Sequence, residues 1–218
     1  YDLDEPMNFM KDISSILSDE GIWIFEQSYM PTMLDNNSYD TICHEHKEYY
    51  ALEQIKWMTD RADLKIIDIE FNKINGGSFS ITAAKTSSHY KVSKKIDIIL
   101  EKEHNQRLDK LEVYHNFASR IKKHRLKINA FLDSQKKNGR IVGALGASTK
   151  GNVILQYCKI KKDKIHFIGE VNKEKFGRFS PGTYIPIISE KTAINKKPDY
   201  MIVLPWHFKE FFIKQKKF

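Results

Sequence analysis

The chain has 218 residues, of which 41% are apolar and 29% charged, a composition typical of a soluble globular protein with one large domain or two small ones. No stretch approaches the roughly 20 apolar residues of a transmembrane helix, and no secretory signal opens the chain. Cys43 and Cys158 lack the spacing of a zinc site or a disulfide framework. We therefore expect no membrane partner, no metal site and a reducing, cytoplasmic environment.

The net charge is +8, from 36 basic and 28 acidic side chains. Such a charge admits nucleic acid as a partner. The lysines, however, occur in scattered pairs, and solvated helix faces explain most of them. A phosphorylated small molecule is the other candidate partner. Because the chain shows no interleaved aromatic and basic pattern, we predict that it does not bind nucleic acid.

A helix followed by a strand is predicted for residues 4–29. Pro6 suits the first turn of a helix, and the apolar residues after it recur at helical spacing. Residues 21–26 form a short apolar run of the buried-strand type. The pair resembles the last helix–strand unit of a parallel sheet, which could not bury both of its faces alone. We infer that the chain is a fragment or that later residues cover this unit, and we expect a loop over residues 30–47.

The middle of the chain predicts a helix, a hairpin and a long helical region. The helix covers residues 48–61. The hairpin is indicated by two alternating runs, 64–73 and 78–85, around the turn sequence Ile74-Asn75-Gly76-Gly77. Residues 94–137 are highly charged with an apolar stripe at helical spacing, which predicts one long helix or two consecutive helices.

From residue 140 onward, strand and helix patterns alternate, which indicates a parallel sheet with helices on its faces. The predicted strands are 140–145, 165–169 and 199–204, with an extended segment at 184–188 and helices at 149–158 and from 208 onward. The predicted fold class is therefore α/β.

The sequence Cys43-His44-Glu45-His46 holds the densest group of side chains that can transfer protons near neutral pH. Imidazole has the unperturbed pKa closest to physiological pH, and a neighbouring carboxylate can fix its tautomer, as a general base requires. In an extended segment His44 and His46 would share a face opposite Glu45, leaving two metal ligands without a third. A capping cluster before a helix, or histidines satisfied in a core, is the structural alternative.

A second candidate site is the turn between the strand at 140–145 and the following helix. Its small residues would let backbone N–H groups at the helix N-terminus approach an anion. Lys150 would add a charge, and Ser148 or Thr149 a hydroxyl. Glu170 follows the next strand, where an acidic residue often holds ribose hydroxyls in Rossmann-type sites. The pattern is neither GxGxxG nor a Walker A sequence, so a tight turn with small packing residues is the alternative.

A basic loop at residues 172–183 is the third candidate. Lys175 and Arg178 flank Gly177, and Pro181-Gly182 marks a turn. Such a loop would lie at the carboxyl edge of the sheet, where ligands of open α/β sheets bind, and its cations could hold a diphosphate. A plain surface loop is the alternative.

In their order along the chain, these motifs resemble the sugar C-methyltransferases, which use S-adenosylmethionine to methylate a ring carbon of a nucleotide-linked keto-deoxysugar. The resemblance covers essentially the whole chain. The matching segments are Asp4-Glu5-Pro6 with the following helix and strand, Cys43–His46, Asn75-Gly76-Gly77-Ser78, Gly146–Asn152, Pro181–Pro186 and Pro198–Phe208.

The resemblance implies an arrangement of domains and a methyl donor. Residues 1–47 would be the end of a Rossmann-like methyltransferase domain with its catalytic loop. Residues 48–218 would be a nucleotide-sugar-binding α/β domain with a Rossmann-like parallel sheet and a long helical segment, incomplete at its C-terminus. S-adenosylmethionine would be the cofactor and a nucleotide-diphosphate sugar the partner, although most of the donor domain is missing from this chain.

The resemblance also assigns roles to residues. His46 would remove a proton beside the keto group, Glu45 would orient it or act as a second acid/base, and the resulting enolate would attack the donor's methyl group. His44 and Cys43 complete the catalytic set, and many relatives have Tyr where Cys43 stands. The predicted substrate-binding residues are Asn75, Gly76, Ser78, Ser148, Thr149, Lys150, Asn152, Glu170, Lys175 and Arg178.

Two other functions compete with this hypothesis. If the chain cannot catalyse the reaction without the missing donor site, it would be a nucleotide-sugar-binding module without catalysis. It would be an NAD(P)-dependent oxidoreductase if the turn after residue 145 holds a nicotinamide cofactor, although the missing GxGxxG argues against that. The identity of the sugar, the base and the methylated carbon, and the oligomeric state, do not follow from the residues.

Overall fold

A computed structural model describes residues 2–214, except for the side chain of Asn75. The chain divides into two compact units. Unit 1 comprises Tyr1–Ser38 and His44–Phe117, and unit 2 comprises Tyr39–Cys43 and Ala118–Phe218. The short segment that precedes the histidine cluster is therefore part of unit 2. In the described part of the chain, no helix has the length and apolar character needed to cross a membrane.

Unit 1 combines helices with one small sheet. Its elements are α1 (Pro6–Ile16), β1 (Ile22–Ser28), α2 (Met30–Asp35), α3 (Leu52–Asp60), β2 (Leu64–Asn72), β3 (Ser78–Lys85), α4 (Lys95–Asn105) and the start of α5 (Leu111–Lys137). The sheet has the strand order β1-β3-β2, and β3 is antiparallel to both neighbours. The predicted hairpin is confirmed. The expectation that β1 belongs to a parallel sheet is wrong within the described residues, because β1 pairs antiparallel with β3, a strand further along the chain, as the alternative that later residues cover it predicts.

The hairpin turn is fixed by close packing against α2. Gly77 has φ +133°, and a Cβ built there would lie 2.2 Å from Cγ2 of Thr32. The side-chain amide of Asn36 donates to the carbonyl of Gly76 at 2.9 Å. Glycine is therefore required at position 77 by both conformation and space.

Two helix predictions change in the structure, and for residues 94–137 it has the second of the two predicted arrangements. Residues 30–47 are not all loop, because α2 covers its first part and is largely buried. The helix predicted from residue 48 begins at Leu52, because Tyr50 is extended and its carbonyl accepts from the N–H of Met30 at 2.9 Å. The region 94–137 forms two helices, α4 and α5, with Arg107 at φ +55° between them.

Unit 2 contains a parallel sheet flanked by helices. Its elements are the rest of α5, β4 (Val142–Leu145), α6 (Thr149–Tyr157), β5 (Ile168–Glu170), β6 (Ile187–Ser189), α7 (Glu190–Asn195), β7 (Tyr200–Val203) and α8 (Lys209–Lys214). The strand order is β6-β5-β4-β7, and every pair is parallel. The predicted α/β class with a Rossmann-like parallel sheet is confirmed.

Helices cover both faces of this sheet. Leu132 of α5 and Leu155 of α6 belong to the same buried cluster as Ala144 of β4. On the other face, a Cβ at Gly169 would lie 2.8 Å from the Cβ of Ala193 in α7. Because all strands run the same way, their carboxyl ends meet at one edge, which is where ligands of such sheets bind.

Candidate active and nucleotide-binding site

The first two residues of the His-Glu-His cluster lie in a turn and face solvent. The side chains of His44 and Glu45 are 88% and 59% exposed, and His44 Nε2 lies 4.0 Å from Glu45 Oε1. The extended conformation expected for this segment is wrong. The turn brings Glu45 beside His44 instead of placing it on the opposite face.

His46 is the less exposed imidazole of the cluster. Its side chain is half-buried, and its ring meets that of Tyr49 edge-on, with centroids 6.4 Å apart. The Tyr49 hydroxyl also reaches the backbone carbonyl of His46 at 3.5 Å. An imidazole held against a tyrosine can keep one orientation toward a substrate, which a freely exposed one cannot.

Cys43 closes the segment 39–43, which is anchored in unit 2. Residues Tyr39–Thr41 form a buried 3₁₀ turn. The Tyr39 hydroxyl lies 2.9 Å from Nδ1 of His124 and 3.5 Å from Sγ of Cys158. Burial raises the pKa of Tyr39 and of Cys158, and partial desolvation lowers the pKa of His124. These groups are therefore neutral near pH 7 and serve to fix the segment. Cys43 itself is half-buried and free.

The turn after β4 is held by a backbone hydrogen bond to β5 and by a helix cap. Gly146 has φ +78°, and its N–H donates to the carbonyl of Gly169 at 2.8 Å. Ser148 is the N-cap of α6, and its hydroxyl accepts from the N–H of Gly151 at 3.0 Å. Thr149 is exposed. Of the two predicted hydroxyls, that of Ser148 is thus committed to capping.

Lys150 and Asn152 follow in the first turn of α6. Lys150 is half-buried, and burial lowers its pKa, while the nearby Asp40 and Cys43 side chains oppose that shift. The Oδ1 atom of Asn152 is buried and has no hydrogen-bond partner among the described residues. Both side chains therefore place polar groups at the start of α6 without full solvation.

Glu170 ends β5 and links two loops at the carboxyl edge of the sheet. It is 8% exposed. Its carboxylate accepts from the N–H groups of Ala147 at 2.8 Å, Val171 at 2.7 Å and Asn172 at 3.0 Å. Burial opposes ionisation, but these three donors and the Lys175 ammonium outweigh it and hold the pKa of Glu170 below its usual range. The carboxylate stays charged and ordered at neutral pH.

The two predicted cations of the basic loop differ in their contacts. Lys175 Nζ donates to the carbonyl of Ala147 at 2.8 Å and lies 3.8 Å from Glu170 Oε2. Arg178 is exposed, and its backbone carbonyl accepts from the N–H of Ile187 at 2.8 Å. Lys175 therefore belongs to the Glu170 network, while the guanidinium of Arg178 faces solvent.

The Asn75–Ser78 turn lies in unit 1. The buried Ser78 hydroxyl donates to the carbonyl of Ile74 at 3.0 Å, and Gly76 has φ +89°. The side chain of Asn75 lies outside the described part of the structure. Within the described residues, no group of three or more His, Cys, Asp or Glu side chains could hold a metal ion.

The structure thus gathers one set of predicted residues at a single sheet edge of unit 2: Ser148, Thr149, Lys150, Asn152, Glu170 and Lys175. Sequence analysis missed one group there. Asp40 is 2% exposed, and its carboxylate accepts from the indole N–H of Trp206 at 3.0 Å. The only sequence signals were its place beside the cluster and the tryptophan in the last matching segment.

Comparison with known proteins gives two findings. The family model of the C-methyltransferase C-terminal domain matches residues 73–218. The curated protein C-methyltransferase NovU of Streptomyces niveus is 29% identical over 216 residues, which covers 99% of this chain and 51% of NovU. The chain therefore spans about half the length of the curated relative it matches.

Proposed function

This chain belongs to the C-methyltransferase family, and from that premise we propose that it is the C-terminal part of an S-adenosylmethionine-dependent enzyme. The substrate is a nucleotide-linked keto-deoxysugar, and the reaction methylates a ring carbon beside the keto group. In this proposal residues 1–47 end the donor-binding domain, residues 48–218 bind the nucleotide sugar, and the enzyme is cytoplasmic. The single observation that supports a catalytic cluster is the half-buried, tyrosine-packed imidazole of His46.

His46 is the general base. The keto group makes the neighbouring C–H acidic, and a neutral imidazole can take that proton near pH 7. His44 is a poorer candidate, because its side chain is 88% exposed. Glu45 lies between the two histidines in the sequence and acts as a second acid/base or as a carboxylate that orients His46. Cys43 stands where many relatives have a phenol, and its thiol is a weaker donor to an enolate oxygen.

The donor would supply an electrophilic methyl group when bound. The described part of unit 1 does not fit a binding site for it. β1 enters α2 through Tyr29 without a glycine, so the unit has no glycine-rich strand-to-helix turn there. No residue of this chain is therefore assigned to holding S-adenosylmethionine.

The nucleotide diphosphate is assigned to the start of α6 in unit 2. Lys150 supplies the charge, with Thr149 and Arg178 as further donors. Glu170 and Lys175 hold the turn at Ala147 rigid, and Glu170 also reaches the ribose in this proposal. The Asn75–Ser78 turn is assigned to the reaction centre.

The proposal is tested in the complete enzyme by replacing His46 with Gln. Methyl transfer should fall by a factor of about 10² to 10⁴, the usual contribution of general acid–base catalysis. Binding of donor and of nucleotide sugar should be unchanged, because the variant removes only the proton acceptor. The measurements are steady-state rates with calorimetry of each ligand.

The matched control is His115→Gln, which removes an exposed imidazole from the unit 1 part of α5. It should keep the rate within about threefold, far less than the loss expected at a general base. Near-normal turnover in His46→Gln, or an equal loss in both variants, would exclude His46 as the specific base.

A further inference from the structure

The order of the strands in unit 2 reverses at β4. The chain adds β5 and then β6 on one side of β4, and it adds β7 on the other side. Both neighbours of β4 run parallel to it. In open α/β sheets the ligand binds outside the carboxyl ends of the strands, in the crevice where the strand order reverses. The crevice expected here lies between the turn after β4 and the chain that follows β7.

The chain that follows β7 packs directly against the turn after β4. A Cβ at Gly146 would lie 2.7 Å from Cδ of Pro205, and a Cβ at Gly151 would lie 2.6 Å from Cβ of Leu204. The last of the matching sequence segments, to which sequence analysis gave no role, therefore forms the second wall of this crevice.

A cavity of about 550 Å³ lies along this second wall. Its floor is formed by the ends of β4 and β7, where Leu145 and Val203 are register partners, and Trp206 lines its side. The other lining residues are Met201, Lys209, Phe212 and Ile213. Lys209 is the only ionisable group among the lining residues that the structure describes. Such a cavity suits an apolar group that is carried next to an anion.

The Trp206 ring is held by the segment that leads to the candidate catalytic cluster. Its indole N–H donates to Oδ2 of Asp40 at 3.0 Å, and Asp40 is 2% exposed. Asp40 belongs to a buried 3₁₀ turn whose Tyr39 ring packs on Tyr157 of α6, with centroids 5.4 Å apart. A hydrogen bond to a carboxylate is stronger than one between neutral groups, so Trp206 keeps one orientation beside the cavity.

Three positions follow one another along the carboxyl edge of the sheet. Glu170, assigned to the ribose, ends β5; the turn assigned to the diphosphate follows β4; and the cavity lies at the end of β7. Neighbouring strands are about 4.8 Å apart, so the ends of β5 and β7 are separated by roughly 10 Å. A nucleotide sugar has its ribose, diphosphate and hexose in the same order.

We propose that this cavity binds the deoxyhexose of the nucleotide sugar, with Trp206 against the C–H face of the ring and Val203 against its C5 methyl group. Val203 is then a specificity-determining residue, because an apolar cavity leaves a hydroxyl at C6 without a hydrogen-bond partner. The identity of the ligand rests on the proposed function. The preference for a methyl group over a hydroxymethyl group rests on the lining of the cavity.

The test compares two ligands that differ by one hydroxyl, dTDP-6-deoxyglucose and dTDP-glucose, by calorimetry with this chain. The 6-deoxy ligand should bind about tenfold more tightly, because it buries no unpaired hydroxyl. Val203→Thr keeps the branched shape and adds a hydroxyl to the floor of the cavity. In this variant the ratio of the two affinities should fall below about threefold. An unchanged ratio in Val203→Thr would overturn the proposal.

Val171→Thr is the matched control. It makes the same change in the loop after β5 of the same unit, where the side chain is 73% exposed. The ratio of the two affinities should stay as it is in the unmodified chain. An equal fall of the ratio in both variants would show that the substitution at position 203 does not act through the cavity, and would also overturn the proposal.

A second measurement locates the hexose without a change at position 203. The indole N–H resonance of Trp206, assigned with Trp206→Phe, should shift when dTDP-6-deoxyglucose saturates the chain. The shift should be smaller with dTDP, which lacks the hexose. Equal shifts with the two ligands would place the hexose outside this cavity.

The two ligands also separate this inference from the proposed function. If neither nucleotide sugar binds saturably to the unmodified chain, the proposed function fails and this inference fails with it. If both bind with equal affinity, the proposed function stands and only the assignment of the cavity is overturned.

Discussion

Glu170 shows how one ionised side chain stabilises the candidate site. Its carboxylate joins the turn after β4 to the loop after β5 through three backbone N–H groups. A charge-assisted hydrogen bond contributes more than a neutral one, and leaving buried N–H donors unpaired is costly. The geometry of the turn after β4 therefore depends on the charge state of Glu170.

Replacing Glu170 with Gln should reduce the free energy of unfolding by about 2 kcal/mol at pH 7. The folded pKa of Glu170 is depressed, so its stabilisation is present above the unfolded pKa, near 4.3, and is lost as pH falls through the folded value. The difference between variant and parent should thus shrink below about pH 4. Urea unfolding of both proteins between pH 3 and 7 measures this difference in the free energy of unfolding.

The exposed Glu174→Gln is the control for this prediction. It lies in the same loop and should change stability by less than about 0.5 kcal/mol. A pH-independent loss in Glu170→Gln would show that the carboxylate acts by shape and not by charge.

Residue types in this site could be predicted from the sequence, but their partners could not. The pattern indicated that Lys150 and Glu170 lie beside one strand-to-helix turn, and they do. That the Asp40 carboxylate would accept from the Trp206 indole depends on a contact between segments far apart in the chain. Spacing along one strand or helix carries no information about such contacts.

At the scale of elements, α3 takes its cap from another helix. Ala51 precedes it and has no side-chain oxygen to accept from the first N–H groups. Glu103 of α4 does so instead, accepting from the N–H of Leu52 at 2.7 Å and of Glu53 at 3.0 Å. It is 1% exposed and also accepts from the Tyr29 hydroxyl at 2.6 Å. Glu103 thus joins α3, α4 and the end of β1.

Replacing Glu103 with Gln should lower the free energy of unfolding by about 2 to 3 kcal/mol, because the amide turns a donor toward groups that need an acceptor. Thermal or urea denaturation measures this loss. Glu101→Gln, at an exposed position of the same helix, should change it by less than about 0.5 kcal/mol. Equal stability in the two variants would contradict the capping role.

The difference between local sequence signals and contacts distant in the chain also explains which elements could be predicted. The hairpin at 64–85 follows from alternation and an Asn-Gly-Gly turn, which are local signals. The start of α3 was placed too early, because Tyr50 is extended by a hydrogen bond to Met30. The helix α2 was missed because six residues are too few to show a helical repeat of apolar positions. Its apolar face, which includes Met33 and Leu34, becomes evident only from the burial of these side chains in the structure.

At the scale of the whole molecule, the parallel sheet of unit 2 has at its carboxyl edge the strand-to-helix turn to which the proposed function assigns the diphosphate, whereas the turn from β1 into α2 in unit 1 has no glycine. This difference predicts which ligands this chain can bind. Calorimetry with UDP-glucose or dTDP-glucose should give saturable binding, and S-adenosylmethionine and NADPH should not. Saturable binding of NADPH alone would favour an oxidoreductase, and binding of S-adenosylmethionine alone would contradict the assignment of unit 2.

Lys150→Met should weaken nucleotide-sugar binding about tenfold, since loss of one charge-assisted contact costs about 1.4 kcal/mol. Lys161→Met is the matched control. It removes the same charge from an exposed loop of the same unit, so that the net charge of +8 falls equally in both variants. If Lys161→Met weakens binding as much as Lys150→Met does, the overall positive charge attracts the ligand, and the start of α6 is not a specific site.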